Sequence, residues 1–359
     1  MPGVYISYPF CSQKCSFCNF ASDVGSRDDK ARYAHTLLTE LKAHPWDYLP
    51  DTVYFGGGTP SLMVPDLLRD LMNAIPGERL VEVTMECAPG TISRESVGLW
   101  RECGINRVSL GVQSFVTEEL RQVGRRHTAE IVERDSEILR DGGIRNINLD
   151  LIAGLPLQTA ESWDRSLDWL ERLDPPHASV YLFEVDEDSR LGKEVMLGGV
   201  RYGANAVPTE DLSAELYETA VERLDRMGIQ RYEISNFARA GHQSRHNLKY
   251  WQLDPYLGFG LDAHSFDGRY RWSNPDTLGA YFDSPPRERV ESDTSEERFF
   301  VGLRLTHGIV PSDEEWSRFA EPIEKWVAAG MLERAHNRLR LSHGGHLLSN
   351  EIFQEFVHA

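Results

Sequence analysis

Three cysteines, Cys11, Cys15 and Cys18, lie at spacings of four and three residues in one short stretch. Thiolates so placed on one loop can converge on a metal centre. A cube of four irons takes four ligands, so three protein thiolates leave one iron open to a small molecule. Zinc is the plainer alternative. A structural zinc takes four protein ligands, however, and no fourth cysteine or histidine stands at a fitting local spacing; His35 falls within a helical pattern. Cys87 and Cys103 stand apart from the cluster and read as ordinary small buried residues. Five cysteines in this arrangement fit a reducing compartment and a metal site better than a disulfide framework.

Other polar groups fall where strands end. Gly56, Gly57 and Gly58 follow the β-branched and aromatic run Thr52-Val53-Tyr54-Phe55, and without side chains their N–H groups can approach a polar ligand closely. A glycine run by itself reads as a tight strand-to-helix turn. Glu86, Gln113 and Asp150 sit at or near the ends of the apolar runs Val81–Met85, Arg107–Val112 and Asn146–Ile152. Each alone is as well explained as a structural cap. In a parallel barrel, polar groups at strand ends face one common site.

The elements that must position them follow from periodicity. Val4-Tyr5-Ile6 reads as a first strand and Ser179–Phe183 as a sixth. Between the strands lie helical faces such as Tyr33, Leu37, Leu38 and Leu41, Ile131–Leu139, and Trp163–Leu173. This alternation predicts an α/β fold of parallel βαβ units, a whole or partial barrel. Leu212, Leu216, Ala220 and Leu224 add a helix before an expected strand at Tyr232–Ile234. Residues 240–290, rich in Gly, Asp, Asn, Pro and aromatics, read as ordered irregular structure. From about residue 293 helical patterns lead to Arg338-Leu339-Arg340-Leu341, a short strand pair or winged-helix fragment. The units expected are therefore 1–240, a core carrying the cluster and its ligand; 241–292; and a small C-terminal α+β unit, 293–359.

Composition limits the partners. The 359 residues carry 38 basic and 56 acidic side chains, a net charge of −18 that repels phosphate backbones and anionic headgroups, so nucleic acid is excluded as an expected partner. No run approaches the roughly 20 apolar residues of a membrane-spanning helix. The Met1-Pro2-Gly3 start lacks the pattern of a leader, and the cytoplasm is the expected location.

Taken together, Tyr5-Ile6-Ser7-Tyr8-Pro9-Phe10-Cys11, the C-x3-C-x2-C spacing and Gly56-Gly57-Gly58-Thr59-Pro60 resemble the radical S-adenosylmethionine proteins, in particular the oxygen-independent coproporphyrinogen III oxidase-like branch. The resemblance implies a partial (β/α)6 TIM-like barrel with a winged-helix-like C-terminal domain. It implies a 4Fe-4S cluster on Cys11, Cys15 and Cys18, whose open iron chelates the amino and carboxylate groups of S-adenosylmethionine. By the same likeness Tyr5, Phe17, Gly57, Gly58, Thr59, Glu86, Gln113, Arg125 and Asp150 fall at positions that contact S-adenosylmethionine, and Leu151-Ile152-Ala153-Gly154-Leu155-Pro156 anchors the last of them. Ser7 stands where the branch carries a histidine.

Within that branch, Cys18 is followed by Asn19-Phe20 and not by another cysteine after one residue, and ten residues precede Cys11, too few for the oxidase's N-terminal arm. Both features resemble the heme-chaperone members. His246-Asn247-Leu248-Lys249-Tyr250-Trp251 matches a His-Asn-x-x-Tyr-Trp signature linked there to heme binding. An imidazole can ligate iron, and aromatic faces suit a macrocycle. On a helix His246 and Tyr250 share one face. Without the resemblance, a buried histidine bonded to backbone beside a core tryptophan is the better reading of His246. Gly258–Ser265 resembles a segment near the pocket, with His264 expected to be structural, and His127 is expected at the surface or behind the site. The resemblance implies a chaperone that binds heme and passes it to acceptor proteins, respiratory and membrane-associated, with a homodimer among the assemblies it allows. An oxidative decarboxylase of coproporphyrinogen III, or another radical enzyme such as a methyltransferase, is the alternative; on the chaperone reading no catalytic residue is needed.

Overall fold

A computed structural model describes residues 1–77, 80–283 and 287–357. Six parallel strands alternate with helices in chain order: β1 (Gly3–Tyr8), α1 (Arg27–Ala43), β2 (Thr52–Gly57), α2 (Pro65–Ala74), β3 (Glu82–Cys87), α3 (Arg94–Glu102), β4 (Arg107–Gln113), α4 (Thr117–Gln122), α5 (Ala129–Asp141), β5 (Asn146–Ala153), α6 (Ala160–Leu173) and β6 (His177–Leu182). The α/β reading and the partial barrel are therefore as expected. Helix starts are set locally: Ser26 with Asp29, Ser93 with Ser96 and Thr159 with Ser162 form capping boxes that satisfy backbone N–H groups left over at each first turn.

The strands bury both faces, with opposite chemistry. Val53 and Phe55, Val83 and Met85, Val108 and Leu110, Leu149 and Leu151, and Ala178 and Val180 point outward into one apolar core with the helices. The alternate positions hold Tyr54, Glu82, Glu86, Arg107, Ser109, Asn148, Asp150, His177 and Ser179, a polar interior. A two-residue period thus sorts oil to the helices and hydrogen-bonding groups to the lumen.

Beyond β6 come α7 (Arg190–Met196), α8 (Glu210–Arg226), β7 (Gln230–Arg231) and β8 (Asn236–Ala238). The strand expected at Tyr232–Ile234 is instead the turn of a hairpin between β7 and β8. The Glu233 carboxylate accepts hydrogen bonds from the Ser235 N–H and the Asn236 side chain, drawing the backbone out of a ladder. Residues 241–292, expected to be irregular, also hold regular structure: α9 (Arg245–Trp251), β9 (Tyr256–Phe259), β10 (His264–Phe266), β11 (Tyr270–Ser273), α10 (Leu278–Asp283) and β12 (Val290–Glu291). β9 adds parallel to β1, and β10 to β12 continue the same sheet antiparallel. Strands of two to four residues are too short for an alternation to stand out.

The remaining residues carry α11 (Thr294–Glu297), α12 (Asp313–Arg318), α13 (Ala320–Ala328), an antiparallel pair β13 (Leu332–Ala335) and β14 (Arg338–Leu341), and α14 (Ser349–Gln354). They enclose a separate apolar cluster in which the rings of Phe299, Phe319 and Phe356 pack at centroid distances of 4.3 to 5.8 Å. No helix among the described residues is long and apolar enough to cross a membrane.

α9 is held from inside the barrel. Glu82, at the start of β3, accepts from the backbone N–H groups of Arg245 and His246, both at 2.9 Å, and from the Ser244 hydroxyl at 3.4 Å. A carboxylate at a helix N-terminus is favourable through both hydrogen bonding and the helix dipole. Glu82→Ala leaves buried donors unpaired and is expected to cost about 2–3 kcal/mol in urea unfolding. Glu82→Gln, which keeps an acceptor oxygen, is expected to lose less; equal losses would mean that the charge and not the hydrogen bonding holds α9.

Candidate functional site

The cluster loop leaves β1 at its carboxyl end. Its path is fixed by backbone bonds: Cys11 N–H donates to Asp23 O at 2.8 Å, Thr59 N–H to Phe10 O at 3.1 Å, and Leu191 N–H of α7 to Ser16 O at 2.8 Å. Gly58 is needed at this crossing, because a Cβ there would lie 2.6 Å from the Pro9 carbonyl carbon. Gly57 adopts φ +105°, open to glycine and strained for other residues. Ser7 sits beneath, with its hydroxyl 3.1 Å from where a Gly57 Cβ would be, so the close approach of β1 and β2 suits a small side chain there.

Cys11, Cys15 and Cys18 face one cavity of about 420 Å³. Burial raises the Cys11 thiol pKa, opposed by hydrogen bonding to Thr59, and the neighbouring Cys18 and Cys15 thiols add to the rise. Yet among the described residues no three His, Cys, Asp or Glu side chains converge tightly enough for a single metal ion. Three thiols facing one cavity can each give a thiolate to a different iron of a cluster.

The same cavity is lined by Phe17, Gly57, Gly58, Thr59, Glu86, Gln113, Arg125 and Asp150, so eight of the expected ligand-contacting residues lie together with the cysteines. Gln113 ends β4 at φ +70° beside a register shift at Gly111, a strained conformation that turns its amide toward the cavity side of the strand end. Arg125 donates to Gly111 O at 2.6 Å while its Nε–H is buried without a partner among the described residues. Asp150 is held by Ser109 at 3.1 Å and Asn148 at 2.7 Å. Burial raises its pKa, while hydrogen bonds from Ser179, Asn148 and Ser109 act the other way. Carboxylates facing a cavity beside an unpaired guanidinium donor fit a ligand carrying both an ammonium and a carboxylate.

Two expected residues lie elsewhere. Tyr5 does not line the cavity but stacks on Tyr54, which does, at 6.0 Å. His246 is fully buried at the amino-terminal end of the strands. Its Nδ1 is 2.9 Å from Thr52 Oγ1 and its Nε2 2.8 Å from the Tyr250 hydroxyl, while its ring lies 5.2 Å from that of Tyr54. Burial, with Lys249 and Arg107 nearby, lowers its pKa to about 3 and keeps it neutral. Three further residues differ from expectation: His127 is buried and lines the cavity, its Nε2 3.0 Å from Val112 O; Cys103 is only partly buried; His264 is exposed. Burial also removes His127 as a cation, lowering its pKa to about 4.

Cys87, read as an ordinary buried residue, borders the cavity, and Tyr54, Ser109 and Tyr181 also line it and were not singled out from sequence. Their signal was parity: each lies an even number of residues from a recognised or polar inward position, Gly56, Gly111 and Ser179.

Residues 5–170 match the Radical SAM superfamily. Heme chaperone HemW of Bacillus subtilis is 33% identical, with 99% of each chain covered, and that of Escherichia coli is 33% identical, with 99% of this chain and 97% of the other covered. The bovine mitochondrial radical S-adenosyl methionine domain-containing protein 1 is 31% identical over 91% of this chain and 78% of its own. Coproporphyrinogen III oxidase of E. coli, described as a radical SAM enzyme, superposes with a TM-score of 0.82 over 99% of this chain and 90% of its own; at 21% identity this is a likeness of fold.

Glu86 supplies a test of the cavity's electrostatics. Burial raises its pKa to about 7, against the hydrogen bond it accepts from Tyr54 at 2.8 Å, and Asp150 adds to the rise. The folded chain therefore holds this proton more tightly than the unfolded chain, whose value is near 4.5. The group favours folding below that value and costs stability as pH rises from there through about 7. In the cofactor-free chain Glu86→Gln should gain stability relative to the wild type between pH 5 and pH 8, on the order of 1–2 kcal/mol because the carboxylate still faces the cavity. A difference independent of pH in urea unfolding would refute the assignment.

Proposed function

Because the chain belongs to the HemW family within the radical SAM superfamily, we propose that it is a heme chaperone, one that binds heme and hands it to acceptor proteins while carrying a 4Fe-4S cluster and S-adenosylmethionine. The observation that carries this reading is the 33% identity to heme chaperones of two distant bacteria along almost the whole of each chain.

The site residues have definite parts in it. Cys11, Cys15 and Cys18 hold the cluster, which when bound supplies an open iron for the amino and carboxylate groups of S-adenosylmethionine. Glu86 and Asp150 face the positive parts of that ligand, and the backbone of Gly57 and Gly58 with the Thr59 side chain supplies hydrogen-bonding groups at close approach. Arg125 and Gln113 offer donors to its carboxylate or ribose oxygens. Phe17, together with the Tyr5–Tyr54 stack behind Glu86, provides apolar walls. Hydrogen bonds to charged groups and a water-poor wall both strengthen binding of a small zwitterion-like cofactor.

Acceptors on this reading are respiratory proteins at the cytoplasmic face of a membrane. The net charge of −18 disfavours anionic lipid and nucleic acid, leaving a protein surface as the docking partner. The transfer requires no proton-moving side chain in the chaperone, since heme leaves with its bonds unchanged apart from its axial ligation.

The test is anaerobic reconstitution followed by heme titration, transfer to an apo-acceptor, and analysis of porphyrin products. Four irons per chain, stoichiometric heme and transfer are expected, with the brown chromophore lost in Cys15→Ala. Repeated turnover of coproporphyrinogen III to a decarboxylated product would overturn the chaperone reading in favour of an oxidase.

A further inference from the structure

On the reading that the cysteine-lined cavity takes S-adenosylmethionine, one of its lining side chains has a part not yet assigned. His127 lies in the turn between α4 and α5 and lines the cavity, although only 6% of its surface is exposed. The turn is fastened to the cluster loop: Ser16 N–H, between the second and third cysteines, donates to Val123 O at 3.1 Å, and the Gln13 amide donates to Gly124 O at 2.8 Å. It is fastened to β4 as well. Arg125 donates to Gly111 O at 2.6 Å and the His127 ring meets Val112 O at 3.0 Å, so two side chains take successive carbonyls just before Gln113.

These partners fix the proton on the imidazole. A carbonyl only accepts, so Nε2 carries the hydrogen. Burial, then the nearby Arg125 cation, lowers the pKa to about 4, so near neutrality the ring holds no second proton and Nδ1 keeps a bare lone pair. Nδ1 has no partner among the described residues, and it is not sealed inside the protein. A buried side chain that opens one unspent acceptor onto a cavity marks a place for a donor. Gln113, turned to the same side by its φ of +70°, brings an amide that likewise spends neither its N–H nor its oxygen on the described residues. An acceptor and an amide N–H side by side match a hydroxyl, which both donates and accepts.

The ligand offers hydroxyls only on its ribose. Its amino and carboxylate groups belong to the open iron on the reading above, and a bare lone pair repels a carboxylate. Its adenine presents flat apolar faces, for which the cavity has Phe17 and Ile152, packed in one apolar cluster. β4 lies between β3, which brings Glu86 against Gly57 beside the cluster loop, and β5, which brings Ile152. The middle of the ligand therefore comes to the end of β4.

We propose that His127 contacts the ribose of S-adenosylmethionine: its Nδ1 accepts a hydrogen bond from one of the two ribose hydroxyls, and the Gln113 amide donates to the same diol. No bond is made or broken in this contact; it selects a ribonucleoside and orients it relative to the cluster loop, to which the turn carrying His127 is tied.

The experiment is anaerobic calorimetric titration of the full, cluster-reconstituted chain with S-adenosylmethionine and with its 2′-deoxy and 3′-deoxy analogues, with iron content as the control. The wild type is expected to bind one of the two analogues about tenfold more weakly than S-adenosylmethionine. His127→Ala, with its four irons retained, is expected to bind S-adenosylmethionine about tenfold more weakly and that analogue as tightly as the wild type does. His127→Asn, which can place an oxygen where Nδ1 stands, is expected to regain part of both the affinity and the discrimination. A merely structural role predicts instead an equal loss for all three ligands in His127→Ala. That equal loss, an unchanged affinity in the variant, or a wild type indifferent to both hydroxyls would overturn this inference and leave the S-adenosylmethionine reading standing. A wild type that holds its cluster and binds no S-adenosylmethionine would overturn both.

Discussion

In a parallel sheet curved into a partial barrel, every second side chain must enter the lumen, and here most of those side chains are polar. Burying them without partners would cost several kcal/mol each, more for the charged ones. The lumen is therefore organised as a network. Asn148 donates to Asp150 and Ser179, His177 stands between Asn148 at 2.6 Å and the Tyr232 hydroxyl at 2.9 Å, and Ser179 donates to Asn236 at 2.9 Å. Arg107 is the fully buried cation among them, with Glu82, Tyr54, Tyr232 and Asp150 as the charged and phenolic groups that favour its ionised form against the effect of burial. Burial and then this cation lower the pKa of His177, and burial, Lys249 and then this cation lower that of His246, so two imidazoles in the lumen stay neutral and act as hydrogen-bonding groups rather than charges.

That arrangement separates the two ends of the barrel. At the carboxyl ends, Glu86, Gln113 and Asp150 face a cavity with the three cysteines, and their polar capacity is only partly used within the protein. At the amino ends, Glu82, Thr52 and His246 are fully committed to one another and to α9. Unspent donors and acceptors mark a place for a ligand; spent ones mark a joint. By this criterion His246 and Tyr250, which bond each other, fall on the side of the joint, whereas the Trp251 indole N–H is buried without a partner among the described residues. Lys249 of the same helix pairs with Asp51 at 2.9 Å and reaches the Met1 carbonyl at 2.7 Å, tying α9 to the strand β2 enters and to the chain start.

How much of this could be read from the residues depended on range. The cysteine spacing and the six parallel strands were legible because both are local patterns: thiols on one loop, and apolar runs within strands of six to eight residues. Glu86 and Asp150 were legible because they fall at or near the carboxyl ends of such strands. Tyr54 was not, since an aromatic in the middle of a strand looks like core until the parity of its neighbours is counted. Of the partners of His246, Tyr250 lies four residues on and shares its helix face, but Thr52 was out of reach, 194 residues away in the chain. Glu233 was hidden for another reason: Tyr232-Glu233-Ile234 has strand-forming residues, and only its carboxylate's capture of Ser235 and Asn236 makes it a turn.

Glu233 also explains how the C-terminal residues are fastened to the barrel. Its carboxylate is completely buried, and a buried carboxylate must be paired or hydrogen-bonded throughout. One oxygen is taken by Ser235 and Asn236, facing the lumen; the other meets Arg304, 3.4 Å away, whose guanidinium also lies 4.4 Å from the centre of the Trp251 ring of α9. Thr306 N–H adds a backbone bond to Tyr232 O at 3.1 Å, and Glu233 itself forms a β-bridge with Leu305. Hydrogen bonds therefore run without a break from Asp150 in the cysteine-lined cavity, through Asn148, Ser179, Asn236 and Glu233, to Arg304. Because each member of that series has its partners on both sides, the lumen and the C-terminal unit constrain each other's geometry, and the side chains that shape the cysteine-lined cavity are held in register by contacts made far from it.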